Sequence, residues 1–569
     1  MAFECYNYHM DKQWKVLPRK YENVLEQLLY NRGVVSGNFH HSDVENFLSP
    51  DFEKDFHSPD LLPDAKAAID RISKAILEKE NVGIYADYDA DGIPGAAFLQ
   101  KALTALGCKP FVYIPSRADG YGFNKAGIDY LIKNNCKLII SVDLGIREIE
   151  LSKYILEKGA DLIITDHHEP GETIPKALAV VNPKRADSRY PFRELCGAGV
   201  VFKLVQGLGE KYPKIINEKF LKWNLDLIAI STISDVVPLI DENRTIAFFG
   251  LKVLGKTKNI GLQQLYEVAT INQNKIDAFT VGFQIGPRIN APGRLENATQ
   301  SYSLLVTEDK NEAFDFAKHL QSQNETRQVE MEKVFQSAVK KISDGNLNKN
   351  KIIVVSDSKW KKGVIGPVAS RLVEKYSTPV ILLSEAGETL DGSGRSIPSF
   401  DITEALESCS KYLEGFGGHA GAAGVHLKKM NLEKFINSIS DYAKSKIKDE
   451  DLTPKITIDL ELEKNKIGIN LFREIERLEP FGLGNSRPIF LTKQLRLVSH
   501  RLVGKESKHL QLRFADGNSE YKGVVFNHGL ELEKLLSGSR YDIVYQPGVN
   551  FWNGKNWVDL RIIDLKISE

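Results

Sequence analysis

Val82-Gly83-Ile84-Tyr85-Ala86-Asp87-Tyr88-Asp89-Ala90-Asp91-Gly92 decides the fold. An apolar run of strand length ends in three alternate carboxylates and a glycine, and charge does not sit beside a buried strand without a reason. Residues two apart project the same way until the chain turns, so two or three of these oxygens can meet one ion. Read alone, the segment is equally a set of turn or N-cap aspartates. The apolar runs recur at Phe111 to Ile114, Leu138 to Val142, Leu162 to Thr165 and Leu178 to Val181, separated by helical spacing such as Ala96, Leu99, Leu103 and Leu106. This alternation predicts an α/β fold with a mostly parallel sheet covered on both faces and ligands at the carboxyl ends of its strands. Asp143 and Asp166-His167-His168 fall at two of those ends, and Asp235 precedes Val236-Val237-Pro238.

The chain has 569 residues, 42% hydrophobic and 26% charged, ordinary values for a folded protein of several domains. Its 75 basic and 75 acidic residues balance, so net charge neither supports nor excludes nucleic-acid binding. Five scattered cysteines without Cys-x-x-Cys spacing argue against a disulfide framework and a structural zinc site. The segment from Met1 to Lys15 lacks an apolar signal region and no run of about 18 apolar residues occurs, so the expectation is a soluble cytoplasmic protein with no membrane partner.

Three regions are expected. Residues 1–345 hold an N-terminal extension, the sheet with the acidic clusters and a long connecting helix from about Asn311 to Ile342. Residues 346–450 begin after the polar Asn346-Leu347-Asn348-Lys349-Asn350 and read as a second, smaller α/β domain. Residues 451–569 show short strand-like runs with turn residues and read as a small β barrel or sandwich. Within it, Arg487 to His528 carries eight basic residues against three acids, interleaved with Phe490, Phe514, Tyr521 and Phe526. Basic groups that follow phosphates and rings that stack bases are what a single-strand-binding barrel needs, although alternate aromatics in a barrel are more often core.

The ligand candidates are 54 residues apart from Asp89 to Asp143, 24 more to His167 and 68 more to Asp235, spacing that suits ligands gathered from separate strand ends. Their order resembles the four-motif signature of the DHH phosphoesterase superfamily, and within it the RecJ-type single-stranded-DNA exonucleases. Further family-like segments follow: Asp119-Gly120-Tyr121-Gly122-Phe123, Leu195-Cys196-Gly197-Ala198-Gly199-Val200, and Gly286 to Leu295. Gly392-Ser393-Gly394-Arg395-Ser396, Gly417-Gly418-His419 and Pro480-Phe481-Gly482-Leu483-Gly484-Asn485 complete the series. The chain departs from the family pattern at Trp360-Lys361-Lys362-Gly363 and Gly366-Pro367.

The resemblance implies a parallel-sheet domain joined by a long helix to a smaller α/β domain, plus an OB-like barrel. It implies that Asp89, Asp91, Asp143, His167 and Asp235, with Asp87 and His168 in or beside the first shell, bind two divalent cations, Mn2+ or Mg2+. Asp143 and Asp235 are expected to be shared. Arg117, Tyr121, Arg288, Arg294, Ser393, Arg395 and His419 are candidate substrate contacts, with the glycines of residues 392–396 letting backbone N–H groups approach phosphate. The expected activity is hydrolysis of single-stranded DNA from its 5′ end to 5′-mononucleotides in recombination and repair, by a monomer, with single-strand-binding protein and a helicase as further partners. The rivals are a phosphodiesterase of short oligoribonucleotides or cyclic dinucleotides and a non-catalytic DNA-binding scaffold.

Overall fold

The computed structural model describes residues 12–568 except 36–40, 117–119, 121, 296–297, 505–506, 518, 528–534, 536 and 553–554. Two compact units share the chain: residues 41–326 with 478–486, and the remainder.

In the first unit five strands, β1 (Asn81–Ala86), β2 (Phe111–Tyr113), β3 (Cys136–Val142), β4 (Asp161–Thr165) and β5 (Ala179–Val181), form an all-parallel sheet. Its spatial order is β2-β1-β3-β4-β5, so the chain reverses direction across the sheet on either side of β1, the place where such sheets open a crevice at their carboxyl ends. Alternation explains why both faces are covered. Val82, Ile84 and Ala86 pack with Ile93, Phe98 and Leu99 of α1 (Gly92–Ala105) and with Val200 and Leu204 of α2 (Gly197–Lys211). Tyr85 points the other way, against Ile128, Leu131, Ile139 and Ile164. Gly83 lets Leu131 pack closely there, because a Cβ would lie 3.0 Å from that side chain and force it to shift. Helix α3 (Leu225–Ser234) is buried almost throughout and ends at Asp235.

Helix α4 (Gly286–Leu295) follows a π-helical turn at Val281–Ile285, and α5 (Lys310–Asp344) then runs for 35 residues out of this unit into the second. There β6 (Ile353–Asp357), α6 (Lys362–Tyr376), β7 (Val380–Ala386), β8 (Thr389–Arg395), β9 (Gly415–His419) and β10 (Ala422–Lys428) build a mixed sheet of order β9-β10-β8-β7-β6. Val334, Ala338 and Ile342 of α5 pack with α6 on one face. The glycine-rich stretch differs from its expected role: β8 is an interior strand whose backbone ladders to both β7 and β10. Its N–H groups are therefore committed to the sheet, and the glycines serve close packing instead. A Cβ on Gly392 would fall 2.5 Å from both Leu383 and Val425, and one on Gly394 2.5 Å from Ile402.

The last region contains β11 (Leu460–Glu461), β12 (Phe490–Val503), β13 (His509–Asp516), β14 (Ser519–Val525), β15 (Arg540–Trp552) and β16 (Lys555–Ile567). Pairing of β12 with β15 closes a five-stranded barrel of OB type. Phe490, Phe514 and Tyr521 are buried inside it, so of the four interleaved rings only Phe526 stays partly exposed, edge-on to His509 and 5.7 Å from the Arg561 guanidinium. Among the described residues Cys108, Cys136, Cys196 and Cys409 are free and buried, and Cys5 lies outside them.

Residues Leu478 to Ser486, although late in sequence, pack into the first unit as a strap. Leu239 N–H donates to the Leu483 carbonyl at 2.7 Å, and the buried Arg244 guanidinium donates to the carbonyls of Phe47, Leu478 and Glu479 at 2.8 to 3.0 Å. Gly482 is needed because a Cβ there would lie 2.6 Å from the Leu239 side chain.

Candidate metal centre

The carboxyl ends of β1, β3 and β4 and the end of α3 deliver the acidic and imidazole groups to one place. Nε2 of His167 lies 3.2 Å from Asp143 Oδ1, 3.6 Å from Asp235 Oδ2 and 3.7 Å from Asp91 Oδ2. Three sets of ligand atoms fall within 4.8 Å of one another: Asp91, His167 and Asp235; Asp87, Asp89 and Asp143; and Asp143, His167 and His168. Asp143 and His167 each occur in two sets, whereas Asp235 occurs in one.

Backbone groups hold these side chains in place. Asp91 receives the N–H groups of Gly197 at 2.6 Å and Ala198 at 2.8 Å, buried donors at the start of α2 that have no intrahelical acceptor, where a carboxylate is favoured. Gly197 admits no side chain, since a Cβ would meet that of Asp143 at 2.5 Å. Asp89 Oδ1 accepts from the N–H groups of Asp91 and Gly92, so this aspartate is also the turn-forming residue the duller reading supposed. Asn290 Oδ1 accepts the Ala90 N–H at 2.8 Å and ties the loop to α4. Asp143 sits at φ 63°, a left-handed backbone that is uncommon outside glycine and that aspartate tolerates better than most residues.

The electrostatics describe a nest built for positive charge. Burial first, and then the neighbouring carboxylates, push Asp87, Asp143 and Asp235 well above the usual carboxylate range, and burial with Asp89 lifts Asp91 to about 6. Two like charges 4 Å apart repel by about 4 kcal/mol at an effective dielectric of 20, so this set ionises together only with compensation. Burial, assisted by His168, lowers His167 to about 3 and keeps its imidazole neutral, the form that ligates metals. Asp87 Oδ1 is buried and accepts no hydrogen bond among the described residues. An orphaned buried oxygen, hard carboxylates and a neutral imidazole are the donor set that Mn2+ or Mg2+ takes.

Asp166 was not among the expected site residues. Its buried carboxylate accepts the N–H groups of Ile146, His167 and His168 and bonds His168 Nδ1 at 2.8 Å. Burial opposes the charge on both partners, yet this bond wins, holding Asp166 below and His168 above their ordinary values. With Nδ1 committed, His168 presents its other nitrogen outward, and the side chain is 44% exposed. Its position in the Asp-His-His string was visible, but nothing in that string distinguishes a ligand from an orienting carboxylate.

The remaining candidates are dispersed. Arg288 donates to the Gln284 carbonyl and to Gln321, and Arg294 is half-buried near the end of α4. Arg117 and Tyr121 lie outside the described residues. In the second unit Arg395 donates to Ser393 Oγ at 2.9 Å, and a Cβ on Gly366 in the first turns of α6 would lie 3.1 Å from both side chains. Gly366 thus opens the start of α6 to this Ser/Arg pair, a combination suited to phosphate. His419 is exposed on the edge strand β9.

Three family models match the chain: the DHH family, N-terminal domain over residues 81–232, the DHHA1 domain over 349–445, and the RecJ OB domain over 458–564. A protein of Escherichia coli, named single-stranded-DNA-specific exonuclease RecJ, is 30% identical, covering 96% of this chain and 96% of that protein. The Bacillus subtilis protein of the same name is 36% identical over 91% of this chain, which spans 65% of its length. A crystal structure described as RecJ in complex with Mn2+ from Thermus thermophilus superposes with a TM-score of 0.82 at 27% identity, covering 98% of this chain and 80% of the other. Its Mg2+ complex gives 0.76 at 25% identity, with 98% and 79% covered.

Proposed function

We propose, from the premise that this chain belongs to the RecJ family of DHH phosphoesterases, that it is a metal-dependent exonuclease of single-stranded DNA. The observation that carries the reading is the convergence of Asp91, Asp143 and Asp235 on Nε2 of His167. Asp91, His167 and Asp235 would hold one divalent cation and Asp87 and Asp89 a second, with Asp143 between them. When bound, such a pair supplies Lewis acidity that lowers the pKa of water and offsets charge on phosphate.

The chain's own residues do the rest. The start of α2 locks Asp91, and Asn290 fixes the loop that carries Asp89. Asp166 sets the tautomer of His168, whose outward nitrogen then donates to a phosphate oxygen or passes a proton to the leaving oxygen. Arg117, Arg288 and Arg294 are assigned to phosphate near the carboxylates, and Tyr121 to the terminal nucleotide, which it stacks on or blocks. Ser393, Arg395 and His419 are assigned to phosphate held by the second unit, with Arg395 needing to release Ser393 to do so. Cleavage from the 5′ end to 5′-mononucleotides, service in recombination and repair, a monomeric state, cytoplasmic residence and cooperation with a single-strand-binding protein and a helicase complete the proposal. No helix among the described residues is long and apolar enough to cross a membrane. The barrel matched by the RecJ OB domain favours long strands over short oligoribonucleotides or cyclic dinucleotides.

The test is digestion of 5′- and 3′-labelled single strands, duplex and RNA with Mn2+, comparing the native protein with Asp143→Ala. Mononucleotides released from the 5′-labelled end of the DNA strand alone, and lost in the variant, are expected. Preference for short RNA or cyclic dinucleotides, or activity retained by Asp143→Ala, overturns the reading.

A further inference from the structure

The π-helical turn Val281–Ile285 lies against the end of the helix that carries Asp235. A Cβ on Gly282 would be 4.0 Å from Ile233, and one on Gly286 2.3 Å from Ser234 Oγ. Thr280, Val281 and Ile285 are buried and anchor the turn, with Asp277 closing its start through the Thr280 N–H and hydroxyl. On its outer side Phe279 and Phe283 stack on each other, centroids 4.6 Å apart and planes 25° from parallel, and are 49% and 48% exposed. Beside the same helix end Val236 is 63% exposed at φ 58°, a conformation that a β-branched residue holds only under constraint. Strain, a π-turn and exposed apolar side chains thus flank the residue that closes the carboxylate–imidazole cluster, and π-turns frequently mark functional sites.

We propose that the Phe279–Phe283 pair is a stacking step for an unpaired base of the substrate strand, on which the nucleotide next to the scissile phosphate rests. The proposal rests on the single-strand exonuclease reading and deepens it, because it names a source of strand selectivity. Inside a duplex both faces of a base are covered by its stacked neighbours, whereas an unpaired base can turn a face to a ring, and every base has one, so the contact favours single strands without selecting sequence. The occupant is nucleic acid rather than protein because the step is continuous with the phosphate-handling centre: the turn touches Ile233 and Ser234, the two residues before Asp235.

A non-additivity cycle tests it with the full chain. A single abasic site is walked along an oligonucleotide, and KM is measured for the native protein, for the Phe279→Ala/Phe283→Ala double variant and for Phe283→Trp. In the native protein one or two adjacent abasic positions should raise KM by roughly tenfold, the loss of one stack. The double variant should show that rise on the intact strand, with kcat changed less than twofold, and the abasic penalty at those positions should collapse. Phe283→Trp should retain it. Penalties that persist unaltered in the double variant, or an intact-strand KM that does not move, overturn the proposal and leave the rings to a protein partner. The same cycle read by fluorescence anisotropy on chelated protein needs no turnover. A collapsing penalty there in a protein that cleaves nothing sinks the nuclease reading alone, whereas additive penalties in an active protein sink the stacking step alone.

Discussion

Two clusters of carboxylate and imidazole lie in the same unit, and only one is short of positive charge. Around His57, Asp241 and Glu242, three ligand-type atoms approach as closely as those of the candidate centre do. There, however, Lys203 places its ammonium 2.9 Å from Glu242 Oε1 with neither side chain exposed, Tyr190 donates to the other oxygen at 2.5 Å, and the His57 N–H completes the shell. That cluster contains its own cation and is structural. The nest around Asp143 sets neutral His167, the partly exposed His168 and the charge of Lys184 against six carboxylates, one of which, Asp166, is paired with His168. What separates a metal site from a buried ion pair is therefore the inventory of local cations, rather than the spacing of the acids.

Several substitutions break or sharpen that contrast. Asp143→Asn should lower the rate of strand hydrolysis by about a thousandfold or more, the equivalent of several kcal/mol of transition-state stabilisation, in a single-turnover assay with Mn2+. In chelated protein the same substitution should raise the unfolding midpoint, because it removes repulsion. Glu242→Ala should do the reverse, destabilising by about 3 to 5 kcal/mol in denaturant titration as Lys203 is left buried without a partner. His168→Ala should cut turnover on the order of a hundredfold while calorimetry still counts the same number of bound Mn2+ ions, and equal loss of both would refute its separate role. Adding Mn2+ at a hundred times its dissociation constant should stabilise the native protein by about 2.7 kcal/mol and leave Asp143→Asn nearly unmoved. The smallest effect belongs to His57→Ala. Its ring makes a single bond to a 40% exposed Asp241 side chain, so a loss of about 1 kcal/mol or less, with strand hydrolysis intact, is expected.

The parallel sheet was legible because its strands are buried on both faces and read as continuous apolar runs. Leu162 to Thr165 became Asp161–Thr165, and Leu138 to Val142 became Cys136–Val142. The charges stood out because each follows such a run. The glycines around Ser393 and Arg395, rather than those two side chains, were misjudged in context: glycines that suggest an anion loop lie in an interior strand, and only the packed neighbours Leu383, Val425 and Ile402 reveal why no Cβ is tolerated. Phe490, Phe514 and Tyr521 stayed open between stacking rings and core, since one strand's alternation does not say which face turns inward until the barrel closes. Asn290 and the stacked Phe279 and Phe283 were silent for a different reason. Their roles depend on partners far away in sequence or on exposure, neither of which a local pattern encodes.

The strap at Leu478 to Ser486 sets a timetable for biosynthesis. Arg244 must wait for a carbonyl 234 residues downstream before its guanidinium is satisfied. At about 5 to 20 residues per second, a ribosome takes roughly 10 to 50 seconds to supply it. During that interval Leu239 and Arg244, which follow Asp235 by four and nine residues, lack these partners, so the segment next to the candidate centre is completed only after the strap has emerged.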